Sequence, residues 1–573
     1  MRVIFDIETD GLLDEVRRVW CLSAFDADTE KQYSYGPDEI KEGLELLSSV
    51  DELIGHNIIE FDLPVLKMLY GFTPRPDQLV VDTLVQSRTL FPNLQELDLK
   101  RRNTNNIKIG SHGLEAWGIR LNFFKGDFGK QESAWERFTP EMLKYCEQDV
   151  LLNFKLWQMM DDHIVNYANW SDALELETRI HTLLCDQTRR GFPFDVDRAK
   201  ELYADLAEQK YEIEQKLIEQ VEPNVIEMKT KTKVIPFNPA SRQQAADRLM
   251  KLGWQPTVFT PSGEPKVDEA VLKDLEFDLA KDLVKFLMLN KRIGQLATGK
   301  QGWLSLHKDG VIHGRVNHMG AVTSRCTHNN PNVAQVPSCS APYGKECREL
   351  FHAPEGYTLL GADASGLELR CLASYMKPFD NGSYAHIVLN GDIHSKNQEA
   401  AGLETRPQAK TFIYAFLYGA GEEKIGSIVG GGKGEGRKVK NRFLKQTPAL
   451  KILREKVAKA AEKGWIKGLD GRRIPIRHPH AALNTLLQSA GAIICKKWYV
   501  EIHDLLKEAG LTEDDARVVA FVHDEVQIIV KQGLEETVGE ITQRAIRNVQ
   551  HDVGFGCRLD ADYQTGPNWA STH

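Results

Sequence analysis

The chain has 573 residues, of which 42% are hydrophobic and 27% are charged, a soluble globular composition with room for about three or four folding units. No apolar run reaches the ~18 residues that span a bilayer, and MRVIFDIETDG has no signal-peptide pattern, which predicts a cytoplasmic protein. The nine cysteines include no CxxC pair, so neither a zinc site nor a disulfide framework is expected.

The formal net charge of −9 argues against a nucleic-acid binder, but the charge is unevenly distributed. The segment from Lys424 to Arg477 holds 16 Lys or Arg and only 4 Asp or Glu. Such a segment in an acidic chain is typical of a surface that tracks phosphates. A solvated helix face is the alternative.

The first strand carries a pair of acids. In VIFDIET, apolar residues alternate with Asp6 and Glu8, and the two-residue period of a strand puts both carboxylates on one face. This could be a solvated face or a metal site. Asp62 in HNIIEFDLPVL stands where a loop enters an apolar helix. Asp82 in VVDTL is also acidic, and capping the next helix is its expected role.

A well-marked helix follows, with Thr139 as its cap and Pro140 at its first position. Tyr145 and Asp149 in YCEQD lie four residues apart on one face of it. With Asp6, Glu8 and Asp62, this makes four carboxylates on three elements. They could hold two divalent metals, and oxygen-only ligands suit Mg²⁺ or Mn²⁺.

Strands and helices alternate to about residue 165, as in an α/β domain, and the main boundary is expected near 165–175. The remaining elements are predicted in order. They are a helix over 174–190 that ends at Gly191, helical patterns over 196–221 and 267–298, strand then helix over 340–380, mostly helix over 386–465 with a loop at GGGKGEG (430–436), two strands near 517–530 and a final helix.

Three motifs in the C-terminal part carry candidate chemistry. In YTLLGADASGLELR an apolar strand ends at Asp363, which could bind a metal above a sheet or cap the next helix. In RVVAFVHDEVQIIV two strands are joined by a glycine-free turn that contains Asp524 and Glu525, and such poor turn chemistry indicates that the acids serve another purpose.

The third motif is TRPQAKTFIYAFLYGAG, a helix with four side chains spaced four residues apart: Arg406, Lys410, Tyr414 and Tyr418. The cations could grip a triphosphate while a tyrosine packs on its sugar and base. An amphipathic helix with core tyrosines is the alternative.

The N-terminal motifs DIE, NIIEFD and YCEQD resemble, in this order, those of DnaQ-like proofreading exonucleases over about residues 1–165. The resemblance implies that Tyr145 positions the attacking water. It also implies four metal ligands: Asp6, Glu8, Asp62 and Asp149.

The C-terminal motifs DASGLELR, RPQAKTFIYAFLYGA and VHDEV resemble motifs A, B and C of family A DNA polymerases, most closely those of short-tailed bacteriophages. FNPASRQQAADRL, GRVNHMGAVTSRCTHNNPNVAQVP, GDIHSKNQ, LLQSAGA and PNWASTH match as well. The resemblance implies a replicative DNA polymerase with 3′–5′ proofreading exonuclease, and an α/β and α+β multidomain fold with a DnaQ-like (RNase H-like) domain before a right-hand polymerase.

The implied division is an exonuclease domain over 1–165 and a polymerase domain over 166–573, with the thumb at about 196–298, the palm at about 299–385 and 485–573, and the fingers at about 386–484. The implied polymerase ligands of two Mg²⁺ ions (Mn²⁺ is an alternative) are Asp363, Asp524 and the carbonyl of Ala364, with Glu525 nearby in a lesser role. The implied nucleotide contacts are His394, Arg406, Lys410, Tyr414, Tyr418 and the sugar gate Glu368. The implied minor-groove contacts are Arg325, Gln488 and His523.

The implied partners are primer–template DNA and dNTPs, with replicative helicase, primase and single-strand binding protein as candidates and no membrane. The resemblance places the protein in the host cytoplasm if a phage encodes it. Short-tailed phage enzymes carry a long thumb insertion that binds thioredoxin. Here only EPNVIEMKTKTKVIP, with Lys229, Lys231 and Lys233, precedes FNPASR, so thioredoxin is not expected to bind.

Three alternatives remain at the level of sequence. An exonuclease with a non-catalytic DNA-binding module would lack a motif A or C acid, whereas Asp363 and Asp524 are present. A single-subunit RNA polymerase would carry a small residue in place of Glu368. A repair polymerase would share the same chemistry, and the exonuclease motifs favour replication over it.

Overall fold

The computed structural model describes residues 1–101, 107–131, 133–166, 170–227 and 232–572. The chain begins with a five-stranded sheet and six helices: β1 (Arg2–Thr9), β2 (Val19–Asp26), β3 (Lys31–Tyr35), α1 (Ile40–Ser49), β4 (Glu52–Gly55), α2 (Asp62–Tyr70), β5 (Leu79–Asp82), α3 (Thr83–Leu90), α4 (Leu94–Leu99), α5 (Leu114–Leu121) and α6 (Pro140–Asn166). In the strand order β3-β2-β1-β4-β5, β1 pairs antiparallel with β2 and parallel with β4.

The central strand β1 is covered on both faces, which its two-residue period makes possible. Val3 and Phe5 pack into a core that includes residues of α1 and α2. Ile4 points to the other face and packs with Val150 and Trp157 of α6. The acids of β1 follow the period of Ile4, so this strand directs them toward α6.

The predicted caps of this unit are confirmed. The Thr139 hydroxyl accepts from the backbone N–H of Met142 at 3.2 Å at the start of α6. Asp82 caps α3 by accepting from the N–H groups of Leu84 and Val85. The carboxylate of Asp82 also accepts from Asn57 and Ile59, so it ties the loop before α2 to this helix as well.

The next part of the chain is mostly helical: α7 (Ser171–Arg190), β6 (Phe192–Pro193), α8 (Val196–Gln220), β7 (Asn224–Glu227), β8 (Thr232–Ile235), α9 (Arg242–Lys251), α10 (Glu269–Lys273), α11 (Asp278–Ile293), a π-helical turn (Gly294–Thr298) and α12 (Trp303–Leu306). The single helical pattern predicted over 267–298 is interrupted between α10 and α11. There Phe277 takes an extended conformation, and it packs with Leu275 against the core.

The C-terminal part follows in the order β9 (Val311–Ile312), β10 (Arg315–Asn317), β11 (Thr327–Asn329), α13 (Gly344–Glu349), β12 (Tyr357–Ala364), α14 (Leu367–Asp380), α15 (Ser383–Asn390), α16 (Ile393–Ala401), α17 (Arg406–Leu417), α18 (Glu422–Ile428), α19 (Lys433–Gln446), α20 (Pro448–Ala461), β13 (Trp465–Lys467), β14 (Arg473–Pro475), α21 (Ala482–Glu508), β15 (Ala516–Val522), β16 (Glu525–Lys531), α22 (Glu535–Asp552) and β17 (Ala561–Gly566). Four strands form an antiparallel sheet in the order β15-β16-β12-β17.

The predicted final helix is present as α22, but the prediction that the chain closes with it was wrong. After α22 the chain returns as β17, which pairs along β12, and it ends with a 3₁₀ turn at Trp569–Thr572. The segment ADYQTG has no apolar alternation, because its strand lies at the sheet edge and only Ala561 is fully buried in it. An edge strand of this kind leaves little periodic signal.

The prediction of a loop at 430–436 was also wrong in its second half, since α19 begins at Lys433. Gly436 lies against α18, where an added Cβ would stand 1.7 Å from the carbonyl oxygen of Glu422. Its lack of a side chain therefore permits the close approach of these two helices. Within the described residues, no helix has the length and hydropathy needed to cross a membrane.

A buried ionic cluster joins the middle of the chain to the C-terminal part. The carboxylate of Glu177 in α7 accepts from Lys496 Nζ at 2.6 and 2.8 Å, from Arg472 Nη1 at 2.7 Å and from His318 Nδ1 at 2.7 Å. Arg472 also pairs with Asp470 at 2.5 Å. All of these side chains are almost fully buried. Burial raises the pKa of Glu177, but the neighbouring Lys496, Arg472 and His318 together lower it by more, so the pKa lies below its ordinary value.

Replacing Glu177 by glutamine should destabilise the protein strongly. The change leaves two buried cations facing a neutral amide, and breaking a buried ion pair costs about 3–5 kcal/mol. The matched control is Asp197→Asn, which removes an exposed pair with Lys200 and should cost less than about 1 kcal/mol. Urea unfolding followed by tryptophan fluorescence measures both. Equal midpoints for the two variants would contradict a stabilising role for the cluster.

Candidate active sites

The N-terminal carboxylates converge from three elements. Asp6 and Glu8 lie on the α6-facing side of β1, and Asp149 projects from α6. Asp62 is the first residue of α2, and its Oδ1 accepts from the N–H of Ile7 at 3.3 Å. Ligand atoms of Asp6, Glu8 and the Cys146 thiol lie within 4.8 Å of one another. The structure thus brings together the four acids that the sequence predicts as a set.

Burial and mutual repulsion both disfavour the ionised forms of these acids. Burial, with the charge of Asp149, raises the pKa of Asp6 to about 7. Burial also raises the pKa of Asp149 to about 6 and holds those of Glu8 and Asp62 well above their ordinary values. The Oδ1 atom of Asp149 is buried and has no hydrogen-bond partner among the described residues.

A half-buried lysine that the sequence analysis missed lies among these acids. The ammonium group of Lys125 pairs with Asp149 Oδ2 and stands 4.8 Å from the ring centre of Tyr145. Burial lowers the pKa of Lys125, but the charges and hydrogen bonds of Asp149 and Tyr145 together raise it above its ordinary value, so the group stays charged. Lys125 follows α5 in an irregular segment, where no periodic pattern could have marked it.

The polymerase-motif acids meet at one end of the antiparallel sheet. Asp363 is near the end of β12, and the adjacent Ala364 donates its N–H to the carbonyl of Asp524 at 2.9 Å. Asp363 keeps some solvent access, yet partial burial and the charges of Asp524 and Glu525 raise its pKa to about 7. Burial, then the charge of Glu368, raises the pKa of Asp524 to about 6.

The side chains of the adjacent residues Asp524 and Glu525 point in different directions. The turn between β15 and β16 contains only His523 and Asp524, with His523 at φ +59°. Glu525 begins β16, and its Oε1 accepts from Trp569 Nε1 at 2.5 Å and from Gln527 Nε2 at 2.6 Å. It is therefore buried and directed toward the C-terminal turn, close to Asp363 but held by other groups.

A fourth acid at this sheet end was not predicted. Asp562 in β17 lies opposite Asp363 in the strand register, and its Oδ2 accepts from the hydroxyl of Ser365 at 2.6 Å. The charge of Asp562 contributes to the raised pKa of Asp363. It was missed because β17 itself was not predicted.

The side chains of α17 form the predicted stripe. Arg406 and Lys410 are exposed, and Tyr414 is half-buried with its ring 6.3 Å from that of His394. The Nδ1 atom of His394 is buried without a hydrogen-bond partner among the described residues. Arg406 donates Nε and Nη2 to Asp392 at 2.7 and 3.1 Å, and Asp392 also caps α16. Asp392 is a further residue of this cluster that the sequence analysis missed.

A cavity of about 310 Å³ lies beside Asp524. Its polar lining includes Arg325, Glu368, Tyr418 and His523. Tyr418 donates to Glu368 Oε1 at 3.0 Å. Gln488 does not line this cavity. It lies half-buried on α21, beside the cavity-lining Leu487, and donates to Asn484 Oδ1 at 2.9 Å.

The basic segment from Lys424 to Arg477 is not one continuous free surface. Arg472 is buried in the Glu177 cluster, Arg437 pairs with Glu422, and Lys463 and Arg473 lie over the ring of Trp465. The charge that remains available for phosphates is smaller than the sequence count indicated.

Both clusters of acids, the N-terminal one and the one around Asp363 and Asp524, offer the oxygen ligands of divalent-metal sites. Crowded carboxylates with raised pKa values are stabilised by a hard cation, and their oxygen atoms suit Mg²⁺ or Mn²⁺. The unsatisfied Oδ1 of Asp149 is one acceptor that such an ion could use.

Comparisons with known proteins relate this chain to DNA polymerases. The family model "DNA polymerase family A" matches residues 200–571. The chain is similar to the "DNA-directed DNA polymerase" of Escherichia phage T7, with 37% identity and full coverage of both chains. It is also 25% identical to "DNA polymerase I" of Aquifex aeolicus, over 95% of this chain and 91% of that protein. Among solved structures it resembles "POL domain of Pol1 from M. smegmatis complex with DNA primer-template and dNTP", with a TM-score of 0.78, 18% identity, and coverage of 100% and 95%.

Proposed function

This chain belongs to DNA polymerase family A and is a DNA-directed DNA polymerase, and we propose that it extends primers at the Asp363–Asp524 site and proofreads at the N-terminal carboxylate site. The observation that carries the polymerase site is the backbone hydrogen bond from Ala364 to Asp524. It fixes the motif A strand against the motif C turn.

Family A polymerases use divalent metal ions, and we propose Mg²⁺, with Mn²⁺ as an alternative. When bound at the polymerase site, the ions would activate the primer 3′-OH and neutralise the leaving pyrophosphate. Asp363, Asp524 and the Ala364 carbonyl would hold them. The buried Glu525 would support this site through its charge while Trp569 and Gln527 keep it in place.

The chain's own side chains would bind and test the nucleotide. Arg406, Lys410 and His394 would grip the triphosphate, with Tyr414 beside its sugar. Glu368 would exclude a ribose 2′-OH, and the hydrogen bond that it accepts from Tyr418 orients its carboxylate. Arg325 and His523 line the cavity beside Asp524, which supports a role at the primer–template minor groove. Gln488 is proposed as a further minor-groove contact.

At the N-terminal site, Asp6, Glu8, Asp62 and Asp149 would hold the metals, and Tyr145 would orient the water that attacks a terminal phosphodiester. The ring centres of Phe128 and Trp135 lie 5.7 and 6.0 Å from that of Tyr145, so both rings pack against it. The proposed domain division keeps an exonuclease over 1–165 and a polymerase over 166–573 with the thumb, palm and fingers given above. Part of the expected boundary near 165–175 lies outside the described residues, at 167–169.

Replication of a phage genome is the role we favour, because phage proteins match the whole chain. Primer–template DNA and dNTPs are the proposed partners, and helicase, primase and single-strand binding protein are further candidates. A repair role is the alternative, supported by the similarity to bacterial proteins named DNA polymerase I.

The two activities should be separable. Asp363→Asn or Asp524→Asn should abolish primer extension but leave degradation of single-stranded DNA, because the two acid clusters belong to different parts of the fold. Asp6→Ala with Glu8→Ala should do the reverse. Primer extension with dNTPs and primer shortening without them measure both activities. The two-site proposal fails if either change silences both activities in a folded protein.

The polymerase should work without thioredoxin. In the described part of the connection between α8 and α9, the regular elements are the short strands β7 and β8; Lys229 and Lys231 lie outside the described residues. The alignment with the phage T7 protein runs over 703 positions against 573 residues here, so that protein has segments that this chain lacks. Without a folded clamp, DNA contacts depend on phosphate charge and weaken with salt.

Product length in primer extension with a DNA trap, at rising salt, measures this property. We expect short to moderate products that shorten with salt and do not change when thioredoxin is added. Longer products on adding thioredoxin would refute the prediction, and so would long, salt-insensitive products from the polymerase alone.

A further inference from the structure

Lys125 places a positive charge among the N-terminal acids, and the roles proposed above do not explain why a cation lies there. The ammonium group pairs with Asp149, a proposed metal ligand, and lies against Tyr145, the proposed water-positioning residue. Only 24% of the Lys125 side chain is exposed, and its partner Asp149 is 3% exposed. The charged end of this half-buried lysine is therefore paired with a buried carboxylate.

The segment that carries Lys125 is built around Tyr145. A Cβ on Gly126 would lie 3.5 Å from the tyrosine ring, and one on Gly129 would lie 3.1 Å from its hydroxyl oxygen. Gln148 of α6 donates to the carbonyl of Phe124 at 2.9 Å. These contacts fix the backbone on both sides of Lys125, so its position is set by packing as well as by charge.

The charge of Lys125 acts on the whole acid cluster. Its ammonium group pairs with Asp149 and lies over the ring of Tyr145, so it stands among the proposed metal ligands. A fixed positive charge among these ligands also repels an incoming divalent cation, whether or not the ammonium group stays on Asp149. The same residue thus stabilises the metal-free site and disfavours its filling.

We propose that Lys125 is a positioning residue of the exonuclease: its ammonium group is a built-in counter-cation that holds Asp149 and Tyr145 in the metal-free site and raises the metal concentration at which the site fills. The inference rests on the exonuclease function proposed above. It implies that proofreading begins at a metal concentration set by this lysine.

The test is direct Mn²⁺ binding to the full chain, measured by the loss of the free-ion electron paramagnetic resonance signal. The background variant is Asp363→Asn with Asp524→Asn, so that binding reports the N-terminal site. Lys125→Met should tighten Mn²⁺ binding about tenfold, the scale of one partly buried ion pair. Lys125→Arg keeps the charge and should stay within about twofold of the background.

Lys130→Met is the matched control. Lys130 lies in the same segment, but it is exposed and pairs with Asp127 at 2.5 Å, so its removal should leave Mn²⁺ binding unchanged. If Lys125→Met does not fold, as judged by its thermal midpoint, Lys125→Gln provides the same test with a polar side chain of similar reach.

Unchanged or weaker Mn²⁺ binding in Lys125→Met would overturn the inference, and so would equal tightening in Lys125→Arg, because size rather than charge would then be responsible. Failure of the proposed exonuclease itself gives a different result. In that case, adding Asp6→Ala and Glu8→Ala to the background protein would not reduce its Mn²⁺ binding.

Discussion

The carboxylate of Glu177 connects parts of the chain that are distant in sequence. It satisfies Lys496 on α21, Arg472 after β13 and His318 after β10 at once, inside an apolar core. The helix that carries it, α7, also packs against α3 of the N-terminal unit and against β15, whose end leads to Asp524. Because each buried charge needs its partner, the cluster holds α7, α21 and the segments of Arg472 and His318 together.

The two acid clusters show two ways to hold negative charges close together. At the N-terminal site Lys125 contacts a proposed ligand directly; Glu8, Asp62 and Asp149 are buried and Asp6 is half-buried. At the polymerase site Asp363 keeps solvent access, and Arg325 moderates the pKa of Asp524 as a neighbouring charge. At the polymerase site, solvent access and the charge of Arg325 therefore stabilise the negative charges, whereas Lys125 does so at the N-terminal site.

Much of both sites was predictable because their acids lie on regular elements. The two-residue period of VIFDIET put Asp6 and Glu8 on one face, and the four-residue spacing put Tyr145 and Asp149 on another. Lys125, Asp392 and Asp562 gave no such signal. One follows a helix in an irregular segment, one resembles an ordinary helix cap, and one lies on an edge strand without apolar alternation. Their roles depend on contacts between distant parts of the chain.

The motif C turn shows how a local detail decides which acid reaches the site. His523 at φ +59° lets the strands turn within two residues, which pairs Val522 with Glu525. In this register Asp524 stays at the turn beside Asp363, and Glu525 points into the core toward Trp569. A shift of one residue would exchange the two directions, since side chains alternate along a strand. The C-terminal Trp569 therefore helps to fix the register of the turn, because its indole binds the acid that must face inward.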